Sequence, residues 1–142
     1  MEAPGNEGVA GRVKLTLGSV GYVESGFASR LGLPMALLEN QHGEFVAPTI
    51  AAGQAAMNSA NSEQVEEVAN TMIDPTAQGS YPITTYTWFL IRDNYESTEK
   101  STAIRNLLGW ILTEGQNHAE SLHYLPLPAT VSSSVLASLQ LQ

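Results

Sequence analysis

The stretch GNEGVAGRVKLTLGSVGYVE, Gly5 to Glu24, and the later stretch YPITTYTWFL, Tyr81 to Leu90, decide how this chain is read. In the first, Asn6 and the acid Glu7 stand where a helix begins, and Val9 and Val13 follow at i, i+4 spacing, so a short helix is expected to about Leu15 with Asn6 as a capping residue. Leu17-Gly18 then turns the chain, and Ser19 to Val23 alternates enough to predict a short buried strand ending at Glu24. In the second stretch, Ile83 to Ile91 is β-branched, aromatic or large aliphatic throughout, which predicts the strongest strand of the chain, central and buried on both faces.

Between these stretches the punctuation is local and clear. Ser25 to Leu31 reads as a helix stopped by Gly32, with Pro34 beyond it. Met35 to Glu39 and Glu44 to Ala47 read as a β-hairpin about the turn Gln41-His42-Gly43. Thr49 caps a helix to about Ser59, and Ser62 to Asn70 gives a further polar helical stretch. Asp74 to Ser80, DPTAQGS, is a loop by its Pro, Gly and Asp content and the expected lobe boundary. After it, Ile104, Leu107, Leu108, Ile111 and Leu112 recur as one apolar helical stripe, with a kink expected at Gly115. Leu125-Pro126-Leu127-Pro128 forms an extended connector, and Thr130 is expected to cap a last amphipathic helix.

Composition narrows the function classes. The 142 residues are 43% hydrophobic and 14% charged, enough apolar material for a packed domain. Fourteen acids against six bases give a formal charge of −8, which speaks against nucleic acid, whose phosphates must be met by clustered Lys and Arg. Any anion held here must be held by local donors and not by the overall field. The chain contains no cysteine, so a disulfide, a thiolate metal site and a Cys nucleophile are all ruled out. No apolar run approaches the roughly 18 residues of a membrane span, and MEAPGNEGVAG lacks the basic and apolar regions of a signal peptide.

Three collinear blocks carry a resemblance: GNEGVAGRV with GSVGYVE, then YPITTYTW, then GWILTEGQ with the LPLP connector before the last helix. Together they resemble the C-terminal part of the phosphate-binding protein of the high-affinity bacterial phosphate ABC transporter, in a cyanobacterial-like form. The resemblance implies an α/β chain that is part of a two-lobed periplasmic-binding-protein fold of type II, a mixed sheet flanked by helices, with the N-terminal half of the fold missing. It places residues 1–80 in the second lobe, and residues 81–142 in a hinge crossing strand followed by the C-terminal part of the first lobe. The hinge it implies is Tyr81, Pro82, Ile83, Thr84, Thr85 and Tyr86.

The same resemblance implies inorganic phosphate and the transporter's membrane subunits as partners of the complete protein, a monomer in the periplasm. It implies no cofactor and no catalysis. In that family the anion is held mainly by a Gly/Ser/Thr-rich loop, a Ser, an Asp and an R-S-D-G-S-G-T stretch, all of which precede the first residue here, so no phosphate ligand is assigned to this chain. Ser25 stands where relatives usually carry an aromatic after GYVE, away from those ligands.

Other candidate sites are weighed against plainer roles. The helix start at Gly5-Asn6 could donate to an anion, as helix N-termini do, but every helix has one. Arg12 reads as a surface residue on a helix. His118 and His123, with Glu114 and Glu120, suggest a metal site, yet the two histidines are five apart and do not share a helical face, so no metal is assigned. Tyr81, Tyr86, Trp88 and Phe89 read as core before ligand platform, and Thr84, Thr85 and Thr87 as strand formers before cleft donors. Two rival functions stand behind the binding-protein reading: a free-standing α/β interaction or structural module, and, more remotely, a metal-dependent enzyme using His118 and His123.

Overall fold

The computed structural model describes residues 3–59, 73–92 and 94–140. Helix α1 (Gly5–Leu15) begins after Pro4, whose carbonyl accepts from the Gly8 amide at 3.1 Å. Asn6 therefore lies inside the helix and not at its cap. Its side chain instead accepts from the Glu24 amide at 3.2 Å and donates to the Glu24 carboxylate at 3.4 Å, tying the two ends of the Gly5 to Glu24 stretch together. Helix α2 (Ser25–Leu31) packs against α1, and Gly32 ends it with φ 63°, a left-handed conformation that costs Gly little. The Lys14 ammonium donates to the Leu31 carbonyl at that C-terminus, where a cation suits the helix dipole.

Ser19 to Val23 is not a buried strand: among the described residues no ladder forms along it, and Val20 and Tyr22 are 96% and 95% exposed. The stretch lies across α1. A Cβ on Gly21 would come within 2.7 Å of the Val13 side chain and 3.0 Å of Val9, so the valines of the i, i+4 pair meet bare backbone there.

The hairpin forms as the sequence suggests but is shorter. Strands β1 (Leu38–Glu39) and β2 (Phe45–Val46) pair antiparallel, Leu38 opposite Val46 and Glu39 opposite Phe45. Gly43 at φ 74° donates its amide to the Asn40 carbonyl at 2.9 Å, and the Asn40 amide donates to the Glu44 carbonyl at 2.9 Å. This is the three-residue loop with a left-handed closing residue that favours Gly. Helix α3 (Ile50–Ser59) follows, with Thr49 Oγ1 accepting from the Ala52 amide at 3.1 Å as its cap. The helix expected at Ser62 to Asn70 lies outside the described residues.

Asp74 to Ser80 is a loop, as its composition requires. The strand expected from Ile83 to Ile91 is not realised among the described residues: Ile83 makes an isolated antiparallel bridge to Ile73, and 84–91 pair with none of the described residues. Nor is the segment buried, since Trp88, Phe89 and Leu90 are 52%, 62% and 98% exposed. Its β-branched and aromatic residues favour an extended backbone, but a strand also needs a neighbour to complete its ladder, and none of the described residues pairs with 84–91.

Helix α4 (Thr98–Leu112) starts at Ser97, whose hydroxyl accepts from the Lys100 amide at 3.2 Å. It ends at Leu112 and does not kink at Gly115. Thr113 Oγ1 donates to the Gly109 carbonyl at 2.8 Å and Gln116 Nε2 donates to the Ile111 carbonyl at 2.7 Å, so side chains take acceptors that a continuing helix would use. Tight 3₁₀ turns over Glu114–His118 and Glu120–Leu122 follow. The connector Leu125 to Pro128 is neither helix nor strand, and helix α5 (Ala129–Gln140) begins directly after Pro128, whose carbonyl accepts from the Ser132 amide at 3.0 Å. Thr130 is thus a first-turn residue and not the cap. Helices α4 and α5 pack together, and Arg105 donates to the Leu139 carbonyl in the last turn of α5 at 2.7 Å.

The buried apolar set among the described residues is mostly small: Ala10, Ala28, Ala52, Ala56, Met57 and Leu108. Met57 of α3 is its centre near the loop, with Tyr86, Leu125 and Leu127 packed on it. The fold is α/β in composition, helices with a small two-stranded sheet. Among the described residues no helix is long and apolar enough to cross a membrane.

Candidate functional site

The segment Tyr81 to Tyr86 starts from a base made by the hairpin turn and the loop before it. Ser80 is fully buried. Its hydroxyl bonds with the Ala77 carbonyl at 2.6 Å and the Pro75 carbonyl at 3.1 Å, folding the loop onto itself. The Tyr81 amide donates to the Ala52 carbonyl of α3 at 3.2 Å, and the Asp74 amide donates to the Pro82 carbonyl at 2.8 Å beside the Ile73–Ile83 bridge.

A second set of bonds comes from the turn at Asn40 to Glu44. Gln41 donates its amide to Asp74 Oδ1 at 2.9 Å and its side-chain Nε2 to the Asp74 carbonyl at 2.6 Å. His42 Nε2 lies 2.8 Å from the Thr76 carbonyl. At the far end of the loop, the Gly79 amide donates to Glu44 Oε2 at 2.7 Å, and Asn40 Nδ2 donates both to that carboxylate at 2.9 Å and to the Ser80 carbonyl at 3.4 Å. The donors from Asn40 and Gly79 hold the Glu44 carboxyl below its ordinary pKa, since both favour the ionised form. Asp74 at φ 48° and Gly79 at φ 66° bend the loop between these anchors.

Beyond Ile83 the anchoring thins. Thr84 donates to the Tyr81 carbonyl at 3.3 Å, while Thr85 makes a marginal contact with its neighbour's carbonyl at 3.5 Å. Tyr86 packs on Met57 and meets Trp88 edge-on, with ring centroids 6.2 Å apart. Its hydroxyl is buried and finds no hydrogen-bond partner among the described residues. Burial pushes the Tyr81 and Tyr86 phenols above their ordinary range. Of the aromatics expected in the core, then, Tyr86 is packed, and Trp88 and Phe89 are largely exposed.

The remaining candidates do not converge. At the start of α1 the Asn6 side chain is engaged with Glu24, and Glu7 stands in the first turn, so acids surround those amides. Arg12 is exposed on α1. His118 stacks on Trp110 with centroids 6.1 Å apart, whereas His123 closes a turn at φ 65° with its Cβ near Gly26 of α2. Among the described residues no three His, Asp or Glu side chains gather as metal ligands. Sequence reasoning misses Asn40, Glu44 and Ser80, because the contact spans 40 positions; the one local signal is an Asn opening a turn that ends in Gly43-Glu44.

Comparison with known proteins gives this arrangement its context. No family model matches the chain. A phosphate-binding protein PstS of Methanocaldococcus jannaschii is 36% identical over 139 residues, which cover 90% of this chain and 36% of that protein. The chain is similar to part of a phosphate-binding protein. Proteins of the same name from Haemophilus influenzae and Xylella fastidiosa are 32% and 30% identical over 131 and 133 residues, covering 92% and 94% of this chain and 39% and 36% of theirs. The chain therefore spans little more than a third of the length of these relatives. The resemblance read from the three blocks is met along nearly the whole chain by proteins bearing that name.

Proposed function

We propose that the chain is the C-terminal part of a substrate-binding protein that captures inorganic phosphate in the periplasm and delivers it to the membrane subunits of an ABC transporter. The observation that carries this is 30–36% identity, over about nine-tenths of the chain, to proteins named phosphate-binding protein. In the complete protein, a monomer of two type II lobes, residues 1–80 belong to the second lobe. Residues 81–142 form the crossing segment and the end of the first lobe. The protein does no chemistry and carries no cofactor; closing about Tyr81 to Tyr86 traps the anion between the lobes. The anion's ligands come from the rest of the protein. Closely held phosphate needs many N–H and hydroxyl donors with an Arg for charge.

The exposed apolar side chains of Leu15, Leu17, Val20 and Tyr22 favour this reading over a free-standing module, whose surface would be expected to cover or replace them. Calorimetry tests it: phosphate titrated into a complete protein that contains this segment should give saturable binding at one site. Absence of binding heat at several temperatures would contradict the assignment.

A further inference from the structure

We infer that Asn40 is a positioning residue for the crossing segment, locking the 74–80 loop to the hairpin turn so that the torsions of closure fall on Thr84 to Tyr86. This deepens the binding-protein reading and rests on it for the identity of the moving segment. The Asn40 side chain is buried, 4% exposed, and its bonding capacity is full. Oδ1 accepts from the His42 amide at 3.0 Å and the Glu44 amide at 3.1 Å, which holds the turn. Nδ2 donates to Glu44 Oε2 at 2.9 Å and to the Ser80 carbonyl at 3.4 Å, which holds the loop.

One amide thus joins two segments 40 residues apart, and the group it reaches is the last carbonyl before Tyr81. A buried amide is tolerated only when its partners are present, and a fully satisfied polar cluster fixes one arrangement where apolar packing would allow several. Gln41 and His42 pin the start of the same loop at Asp74 and Thr76. With Pro82 bonded to Asp74 and Ile83 bridged to Ile73, the backbone is held through Ile83. A hinge turns at the few residues that lie between such anchored regions. Thr84 to Tyr86 are the first residues after them without a backbone partner of this kind.

The test separates the turn from the tether. Asn40→Asp has nearly the same shape and keeps the acceptors that hold the turn, but it loses both donors and sets a carboxylate against Glu44. Amide exchange on this chain should show Gly79 and Tyr81 exchanging about tenfold faster, the scale of one lost hydrogen bond. Gly43 in the turn and Gly8 in α1 should change less than about twofold, the scatter expected of distant sites. Adding Glu44→Gln to that variant should restore Gly79, because a Gln side chain can donate its amide to the carboxylate introduced at position 40 while its carbonyl accepts from Gly79. Equal acceleration of every amide, or an unchanged Tyr81, would overturn the inference. In a complete protein, Asn40→Asp should alter the rate of phosphate release in stopped flow, and an unaltered rate would contradict the role in closure. If the unsubstituted complete protein binds no phosphate, the binding-protein reading and the closure role fail together, while the exchange result still decides whether Asn40 positions Tyr81.

Discussion

Glu44 and Tyr86 show how single side chains set the behaviour of this region. The Glu44 carboxyl titrates below its unfolded value because Asn40 and Gly79 donate to it, with His42 nearby adding a smaller effect in the same direction. A carboxyl with a lowered folded pKa contributes stability that is present above the unfolded pKa and lost as pH falls through the folded one. Protection of the Gly79 amide, corrected for intrinsic exchange, should therefore decline below the ordinary carboxylate range, and in Glu44→Gln that decline should vanish. A decline that persists in Glu44→Gln would contradict this assignment. Tyr86 carries a buried hydroxyl with no partner among the described residues. Removing a buried unsatisfied group while keeping the ring should not destabilise, so Tyr86→Phe is expected to raise the unfolding free energy by about 0.5–1 kcal/mol or leave it unchanged. A loss above about 1 kcal/mol in chemical denaturation would show that the hydroxyl has a partner after all.

Among the elements, helix glycines give opposite expectations that follow from their surroundings. A Cβ on Gly53 of α3 would meet Leu125 at 2.5, 2.9 and 3.3 Å, and Leu125 is itself packed on Met57. A Cβ on Gly109 of α4 would meet nothing within 4 Å. Gly109→Ala should thus stabilise by about 0.5–1 kcal/mol through helix propensity alone. Gly53→Ala gains the same propensity but overpacks the connector, at a cost of about 1–3 kcal/mol, and should be net destabilising. Thermal melts of the two variants should move in opposite directions. The elements legible in the sequence are those fixed locally: α1 and α2, the hairpin about Gly43, α3 behind Thr49, and the connector at Leu125 to Pro128. The strands expected at Ser19 to Val23 and Ile83 to Ile91 do not form among the described residues, since residues such as Val20, Trp88 and Leu90 favour an extended backbone but do not supply the neighbour that makes it a strand. At the candidate site, the hinge expected at Tyr81 to Tyr86 rests on resemblance alone. Its anchor at Asn40 is hidden, because a hydrogen bond across 40 positions leaves no periodicity behind.

At the scale of the molecule, the described residues combine a small buried set with widely exposed apolar residues. Leu15, Leu17, Val20 and Tyr22 on one stretch, and Trp88, Phe89 and Leu90 on another, stand open where a compact domain would cover many of them. The matched segment is little more than a third of the comparison proteins, and in the proposed account the remainder of such a protein covers these residues, completes the ladder beside 84–91 and brings the phosphate ligands. The chain's net charge of −8 is compatible with this account, in which the anion is met by close donors and not by the overall field. The most direct test of the central claim, hinged capture of phosphate by a protein containing this segment, is small-angle X-ray scattering from the complete protein with and without phosphate. The account predicts a smaller radius of gyration on saturation, reversed when phosphate is removed by dialysis; binding with an unchanged radius would contradict closure about Tyr81 to Tyr86, and no binding would contradict the account altogether.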